Sequence, residues 1–431
     1  MRSWATFAIL LTLLYGRALA EEEYSFDLSE IEEKPWDIGG YLEFQPFLFG
    51  MDNNSALHKL RFYDRDKKGI REEYNFTALL DGRYKKGTTE YRAVVNTDFR
   101  KSYLGWSEET TLYEGYMSSR PSPTFNFNIG KKTLKWGKGY AWNPVAFLDR
   151  PKDPYDPELA REGFVVASAD YIQSFDGRLR TFSFTPVLLP VNDHINNDFG
   201  KINRLNFAGK AYFLLNDTDI NLIFLTGGSK TNRYGMDFSR NITTNFEIHG
   251  ELAFIDDHKK RFIDSDGTVY SKEYDATSYL LGLRYLTRTD TTYIIEYFHD
   301  DTGLAESEMS DYFSFIDKGY DTYLASGDDS LLRKASNVAG GSYNKKNSMR
   351  DYLYLRASQK DPFDILYFTP SLTGIFNLTD KSFSIGPELL YTGVKNLELR
   401  LRATFLIGDS HTEYGEKQSD FSIGLRVRYF F

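Results

Sequence analysis

The chain has 431 residues, with 61 Asp and Glu against 52 Lys and Arg, a formal charge of −9 and no cysteine. The lack of Cys excludes a disulfide scaffold, a thiolate metal site and a cysteine nucleophile, and the acidic balance argues against broad electrostatic binding of nucleic acid. Aromatic residues make up 16%, too many for a disordered chain, while a mean hydropathy of −0.47 without long apolar runs excludes a bundle of transmembrane helices.

Residues 1–20 read as a secretory signal peptide. Arg2 is the positive n-region, Ala5 to Tyr15 the apolar h-region, and Ala18-Leu19-Ala20 the small-residue cleavage site. Its removal takes away Arg2 and Arg17 and leaves a mature charge of −11. Residues 21–38 are acidic and, preceding the first strand, are expected to lie in the periplasm or plug the lumen. From residue 39 to 431 the pattern is alternation of apolar and polar residues, repeated many times. Tyr74, Phe76, Ala78 and Leu80 alternate with Glu73, Asn75, Thr77 and Asp81; Leu397, Leu399, Leu401, Ala403 and Phe405 alternate with Glu398, Arg400, Arg402 and Thr404. Period two with one apolar face is a strand wet on one side and oily on the other.

These segments reach ten residues or more, the length a tilted strand needs to cross a bilayer. About eighteen can be counted, centred on Phe44, Ala78, Val95, Tyr113, Ile129, Ala167, Phe182, Ala211, Phe224, Phe238, Ile248, Leu283, Ile295, Leu355, Leu372, Leu389, Leu401 and Leu425. Those at Tyr113, Phe238 and Leu372 carry a weak signal, which leaves sixteen strands as the alternative count. Aromatics at the segment ends, among them Tyr84, Tyr91, Tyr171, Tyr391 and Tyr429, fit girdles at two membrane–water interfaces. The links alternate between short (85–88, 175–177, 216–218, 393–396) and long (51–69, 137–162, 190–203, 256–272, 302–349, 409–419), as periplasmic turns and outer loops do. The expected fold is therefore all-β, a transmembrane antiparallel β-barrel. Closure is also what allows so polar a chain to enter lipid, because every backbone N–H and C=O must be paired there.

The last strand ends in Tyr429-Phe430-Phe431, with aromatics at alternate positions. It resembles the C-terminal signal of Gram-negative outer-membrane β-barrels. That resemblance implies an outer-membrane location among outer-membrane lipid, and recognition of Phe431 by the barrel-assembly machinery. A second, local likeness runs from Gly130 to Pro144 (GKKTLKWGKGYAWNP), followed by Asp149-Arg150-Pro151 and Arg161-Glu162-Gly163. It is similar to the strand-then-loop element of porin-like barrels related to alginate-export channels, and implies a substrate channel.

The segment 137–162 is the most unusual loop, with Pro151, Pro154 and Pro157 at every third residue, a spacing that favours stiff extended backbone. In general porins the loop after the fifth strand folds into the lumen, and this one has a similar place. Two readings stay open: a constriction whose Asp149, Arg150, Asp153, Arg161 and Trp142 contact the solute, or an outer loop packed over the rim. The alternation also points Arg400, Arg402, Arg426 and Arg428 into the lumen as one ladder with few acids near in sequence, and adds Arg92, Arg284, Glu247 and Glu251 as pore-lining charges. Rings of fixed charge select ions and orient dipolar solutes; against this stands pairing across strands that merely holds a wet wall.

The expected function is passive passage of a small anionic or zwitterionic solute, with no enzymatic chemistry and no cofactor or metal. The alternatives are a barrel that sheathes a protein or serves an export or envelope complex, and a rim hydrolase using His299. The stretch 327–347, rich in Ser, Gly, Asn and Lys, reads as a mobile tip. An outer face apolar all round does not separate a monomer from a homotrimer.

Overall fold

The computed structural model describes residues 34–341, 343 and 345–431; the expected signal peptide and most of the acidic segment lie outside the described residues. Alternation along the chain becomes eighteen antiparallel strands in one sheet. They are β1 (Trp36–Met51), β2 (Ile70–Lys86), β3 (Thr89–Ser102), β4 (Gly105–Ser122), β5 (Phe125–Lys132), β6 (Phe164–Ser174), β7 (Leu179–Val191), β8 (Arg204–Leu215) and β9 (Thr218–Thr226). The second half comprises β10 (Arg233–Thr243), β11 (Phe246–Ile263), β12 (Val269–Leu286), β13 (Thr291–Asp300), β14 (Asp351–Gln359), β15 (Phe368–Asn377), β16 (Phe383–Val394), β17 (Leu397–Ile407) and β18 (Ser419–Phe430). Every expected centre falls in its own strand, the three weak ones in β4, β10 and β15, so the sixteen-strand count is not adopted.

The sheet closes where β18 meets β1, with Tyr41 opposite Phe430 and Met51 opposite Ser419. Gly40 and Phe431 exchange both backbone hydrogen bonds at 3.1 Å. A Cβ on Gly40 would stand 2.1 Å from the Leu79 carbonyl oxygen of β2, so the closing strand needs a glycine where it is squeezed between neighbours. The outward face is apolar around the sheet: Phe44, Leu80, Ile129, Leu222, Leu281, Leu372, Leu401 and Leu425 are all exposed. A surface of this extent belongs in lipid, not water.

Two departures from the sequence reading concern the long links. The expected loop 256–272 is largely strand, since the β11–β12 ladder continues past a bulge at Ile255/His258 to Ile263 opposite Val269. These rungs are rich in charge, so they carry no apolar alternation to read. Within the expected mobile tip at 327–347, residues 330–339 are instead helix. The link between β13 and β14 holds α2 (Glu306–Ser326) and α3 (Ser330–Ala339), and Leu332, Ala335 and Val338 of α3 are buried. That three-residue spacing is a helical face hidden in a polar composition. With α1 (Ala56–Phe62) from the β1–β2 link, these helices form a cap at the long-loop end. Asp317 of α2 ties it together, accepting from Lys59 of α1 at 2.6 Å and bonding His411 of the β17–β18 loop at 3.1 Å. The cap core of Tyr312, Phe313, Ile316, Leu332 and Tyr414 is continuous with Tyr352, Tyr354 and Ile375 on the barrel wall.

The alternation makes a mutational prediction. Leu401→Arg, on the lipid face of β17, should lower stability by roughly 2–4 kcal/mol, read as a shift in the urea midpoint of the heat-modifiable band. Thr404→Arg, on the lumen face of the same strand, should shift it little.

Candidate functional site

The link 133–163 between β5 and β6 crosses the lumen, held by one carboxylate of its own and two from the barrel wall. Asp149 accepts from the backbone N–H groups of Leu134, Lys135 and Trp136 at 2.9–3.0 Å, folding the loop onto its own start. Glu251 of β11 accepts from the N–H of Lys138 at 2.5 Å, Gly139 at 2.6 Å and Val145 at 3.2 Å, and from the Asn143 amide at 2.8 Å. Glu296 of β13 accepts from the N–H groups of Tyr140 and, at 2.8 Å, Ala141. Irregular backbone inside a barrel needs such partners, because an orphaned buried donor costs about 1–3 kcal/mol.

A three-strand row supports Glu296. His249, Gly282 and Glu296 lie directly opposite one another on β11, β12 and β13. The glycine leaves room for the His249 ring, whose Nε2 lies 2.1 Å from where a Gly282 Cβ would be. The ring thus spans β12 and meets Glu296 at 2.8 Å.

The loop also fills space. Trp136, Val145, Phe147 and Leu148 pack against Val166, Val187, Ala208, Ile223, Leu225 and Ala253 of β6–β11. The inner face of these strands is therefore partly dry, where alternation alone implies a wet one. Trp142 is a core residue, stacked 5.1 Å from Phe298, with its indole N–H donating to Asn347 at 3.3 Å. It joins loop to cap. Arg150 pairs with Asp198 at 2.6 Å and Glu162 at 2.7 Å, and Asp153 pairs with Lys346 of the cap link. Of the expected solute contacts on this loop, Asp149, Arg150, Asp153 and Trp142 are thus engaged in holding the loop. Arg161 donates to the Arg150 carbonyl at 2.5 Å and lines a cavity.

The expected arginine ladder is real as a row, with Arg400 opposite Arg426 and neighbours in register. It is far less naked than its sequence neighbourhood suggests. Arg428 donates to Glu43 of β1 at 2.7 Å, and Arg402 donates to Glu388 at 2.7 Å. Asp156, from the crossing loop, accepts from Arg426 at 2.7 Å and Arg400 at 3.3 Å. Arg426 is buried, at 7% side-chain exposure, and is engaged between Asp156 and Glu43. Both acids are remote in sequence, one across the closure and one across the lumen. Arg92 likewise pairs with Asp81 at 2.8 Å and Glu114 at 2.9 Å.

On the short-turn side of the loop two chambers remain. One, of 660 Å³, is bounded by β11–β17 and carries Lys138, Arg284, Arg356, Lys360, Arg400 and Arg402 on its wall, with Glu247, Glu388 and Asp290. The other, of 540 Å³, lies between β1–β4 and the crossing loop and includes Arg92, Asp81, Glu114, Lys135 and Arg161. Lys152, Pro157 and Glu158 line both, so this stretch of loop is the septum between them. Glu158 is exposed, and among the described residues neither it nor Arg284 has an ion-pair partner. Arg356, Lys152 and Glu158 were not singled out from sequence. Arg356 follows Tyr352 and Tyr354 at period two, a signal masked because those tyrosines look like girdle residues and in fact point inward.

His299 occupies the lipid-side face of β13, opposite Asp351 in register. Its two ring nitrogens meet Asp351 at 2.8 Å and Asp301 at 3.1 Å.

The Asp156 tie sets a pH dependence. Burial alone would raise its carboxyl, but the guanidiniums of Arg426, Arg400 and Arg402 outweigh burial and hold it below the usual carboxylate range. A depressed carboxyl contributes stability that is present above its undocked value and lost as pH falls through the docked one. Acidification below the ordinary carboxylate range should therefore loosen the septum, read as faster hydrogen exchange at the backbone amides of the crossing loop. Asp156→Asn should exchange faster already at neutral pH, with loop docking weakened by roughly 3 kcal/mol, and should lose that part of the acid response.

No family model matches the chain, and no curated protein matches it by sequence. Solved structures do. A BenF-like porin from Pseudomonas fluorescens Pf-5 superposes with a TM-score of 0.54 at 12% identity, over 92% of this chain and 98% of that one. OccK5 (OpdH) of Pseudomonas aeruginosa gives 0.52 at 14% identity over 92% and 98%. OccK2 (OpdF) of the same species, solved in complex with glucuronate, gives 0.51 at 12% identity over 92% and 98%. The chain thus has the closed eighteen-stranded antiparallel fold of these outer-membrane porins.

Proposed function

We propose that this chain is an outer-membrane channel that passes small anionic or zwitterionic solutes down their gradient. The observation that carries the reading is the 660 Å³ chamber, which falls in the size range of small-molecule sites. Its lining holds seven cationic side chains (Lys138, Lys152, Arg284, Arg356, Lys360, Arg400, Arg402) against five carboxylates (Asp156, Glu158, Glu247, Asp290, Glu388). The excess favours anions, and the interleaved acids favour solutes that also carry a positive end. Rings and rows of fixed charge of this kind set selectivity while the wet lumen keeps binding weak enough for release. Arg400 and Arg402 belong to the chamber wall; Arg426 and Arg428 support it by holding Glu43 and Asp156. The glucuronate in the OccK2 structure is a solute of matching charge and supports the same class here.

The sheath or export-partner reading asks for an open lumen. Here the lumen is occupied by the chain's own crossing loop and by the cap core, which favours the solute channel. Monomer or trimer, and recognition of Phe431 by the assembly machinery, stay part of the proposal.

Single-channel recording of the refolded protein across a salt gradient tests it. Open steps with anion preference are expected. Arg284→Ala removes a charge that has no ion-pair partner among the described residues, and should lower anion selectivity roughly two- to five-fold, the effect of one charge about 8 Å from the ion in a wet lumen. Absence of open steps would replace the channel with the export-partner reading.

A further inference from the structure

The link between β14 and β15, residues 360–367, lies at the short-turn rim and differs from the other links there. Most of those place Gly, Asn or Asp at left-handed positions, as at Gly87, Gly177, Asn216, Asp217, Asp290 and Asn396, the residues that tolerate such backbone. This one places Phe363 at φ 60° and Tyr367 at φ 64°, besides Asp361 and Asp364. Bulky residues are rare in that region of backbone space. The result is an apolar knob. Phe363 is 89% exposed, Leu366 66%, Tyr367 59% and Ile365 49%.

We propose that this knob is a lipid anchor, seated in the periplasmic leaflet of the membrane that the barrel crosses. The inference rests on the reading of the barrel as a membrane protein. Three observations favour lipid as the occupant. The knob is continuous with the lipid face, since Phe368 stands opposite Tyr391 and the Thr392 N–H donates to the Tyr367 carbonyl at 3.0 Å. Tyr391, Tyr293, Tyr285 and Tyr429 are exposed on that face, forming the aromatic belt typical of a headgroup interface. The turn also satisfies three of its backbone donors internally. Asp361 N–H reaches the Phe368 carbonyl at 2.8 Å, Ile365 N–H the Pro362 carbonyl at 3.2 Å, and Tyr367 N–H the Asp361 carboxylate at 2.5 Å. Backbone entering an apolar interface needs such pairing. A protein partner would have to build its contact on four side chains of one turn, far less than the 20–30 residues a side of a stable interface.

The chain has no cysteine, so single cysteines can be labelled uniquely with an environment-sensitive fluorophore. Phe363→Cys and Leu366→Cys are compared, in vesicles of phosphatidylethanolamine and phosphatidylglycerol, with Leu372→Cys on the lipid face and Thr88→Cys in another short turn. The labels at 363 and 366 should emit as blue as that at 372, be quenched by lipid-attached spin labels and resist aqueous iodide, while 88 behaves as in water. If 372 is in lipid and both 363 and 366 match 88, the anchor is overturned with the barrel's membrane placement intact. If 372 also matches 88, the membrane reading itself has failed. A label at 363 that stays in water in pure vesicles and is shielded only in isolated outer membranes overturns the lipid anchor in favour of a protein partner.

Discussion

Backbone hydrogen-bonding groups taken out of water must find partners, and this constraint acts twice in the molecule. On the outside it forces the sheet to close, which Gly40 and Phe431 complete by pairing first strand with last. On the inside it reappears when the crossing loop leaves the wall, and Asp149, Glu251 and Glu296 answer it with carboxylate oxygens aimed at consecutive N–H groups. Acidic side chains in a lumen are usually read as contacts for the solute. Here several of the most buried ones serve the backbone first, and the chambers are what is left over.

The same accounting sorts the lumen's charges. Arg426, Arg428, Arg92 and Arg150 stand in ion pairs within 3 Å of a carboxylate. Pairs of this kind fix the wall and the septum more than they attract ions, since each charge is largely cancelled at close range. Charges outside close ion pairs act at longer reach. Among the described residues Arg284 on the wall, which has Glu247 opposite it in register but no ion pair, and Glu158 on the septum are of this sort, and both face the larger of the two chambers. The chamber thus has more cations on its wall and an acid on its septum, while the tie between Asp156 and the arginine row keeps the two at a set separation.

Period-two alternation made the barrel legible, because each lipid-facing residue must be apolar whatever stands behind it. β17 and β18 read without ambiguity for that reason. What lies inside was less legible, for physical reasons that differ by element. β9 (INLIF) is apolar on both faces, since Ile223 and Leu225 pack under the loop while Leu222 meets lipid; periodicity then shows a strand but not what covers it. The upper β11–β12 ladder stands clear of lipid and loses its alternation. α3 hides three buried residues among Ser, Lys and Asn. For the site, orientation of Arg400, Arg402, Arg92 and Arg284 follows from period two, yet their partners do not. Asp156 and Glu43 reach the arginine row from far along the chain, and no local pattern announces them. Loop charges were the least legible, because Asp149 and Arg150 look alike in sequence whether they face a solute or a backbone amide.

The separation in sequence between the loop and its anchors has a consequence for how the molecule comes into being. The amide of Lys138 waits for a carboxylate 113 residues later, and that of Ala141 for one 155 residues later. Neither Glu251 nor Glu296 exists as a fixed oxygen until β11–β13 are laid into the growing sheet. Without those strands the loop has only its own Asp149 and the apolar wall of β6–β9 to rest on, so its register across the lumen is fixed only in the sheet that contains β11–β13. Gly282, which lets His249 span β12 to Glu296, thereby belongs to the part of the wall that sets where the partition stands.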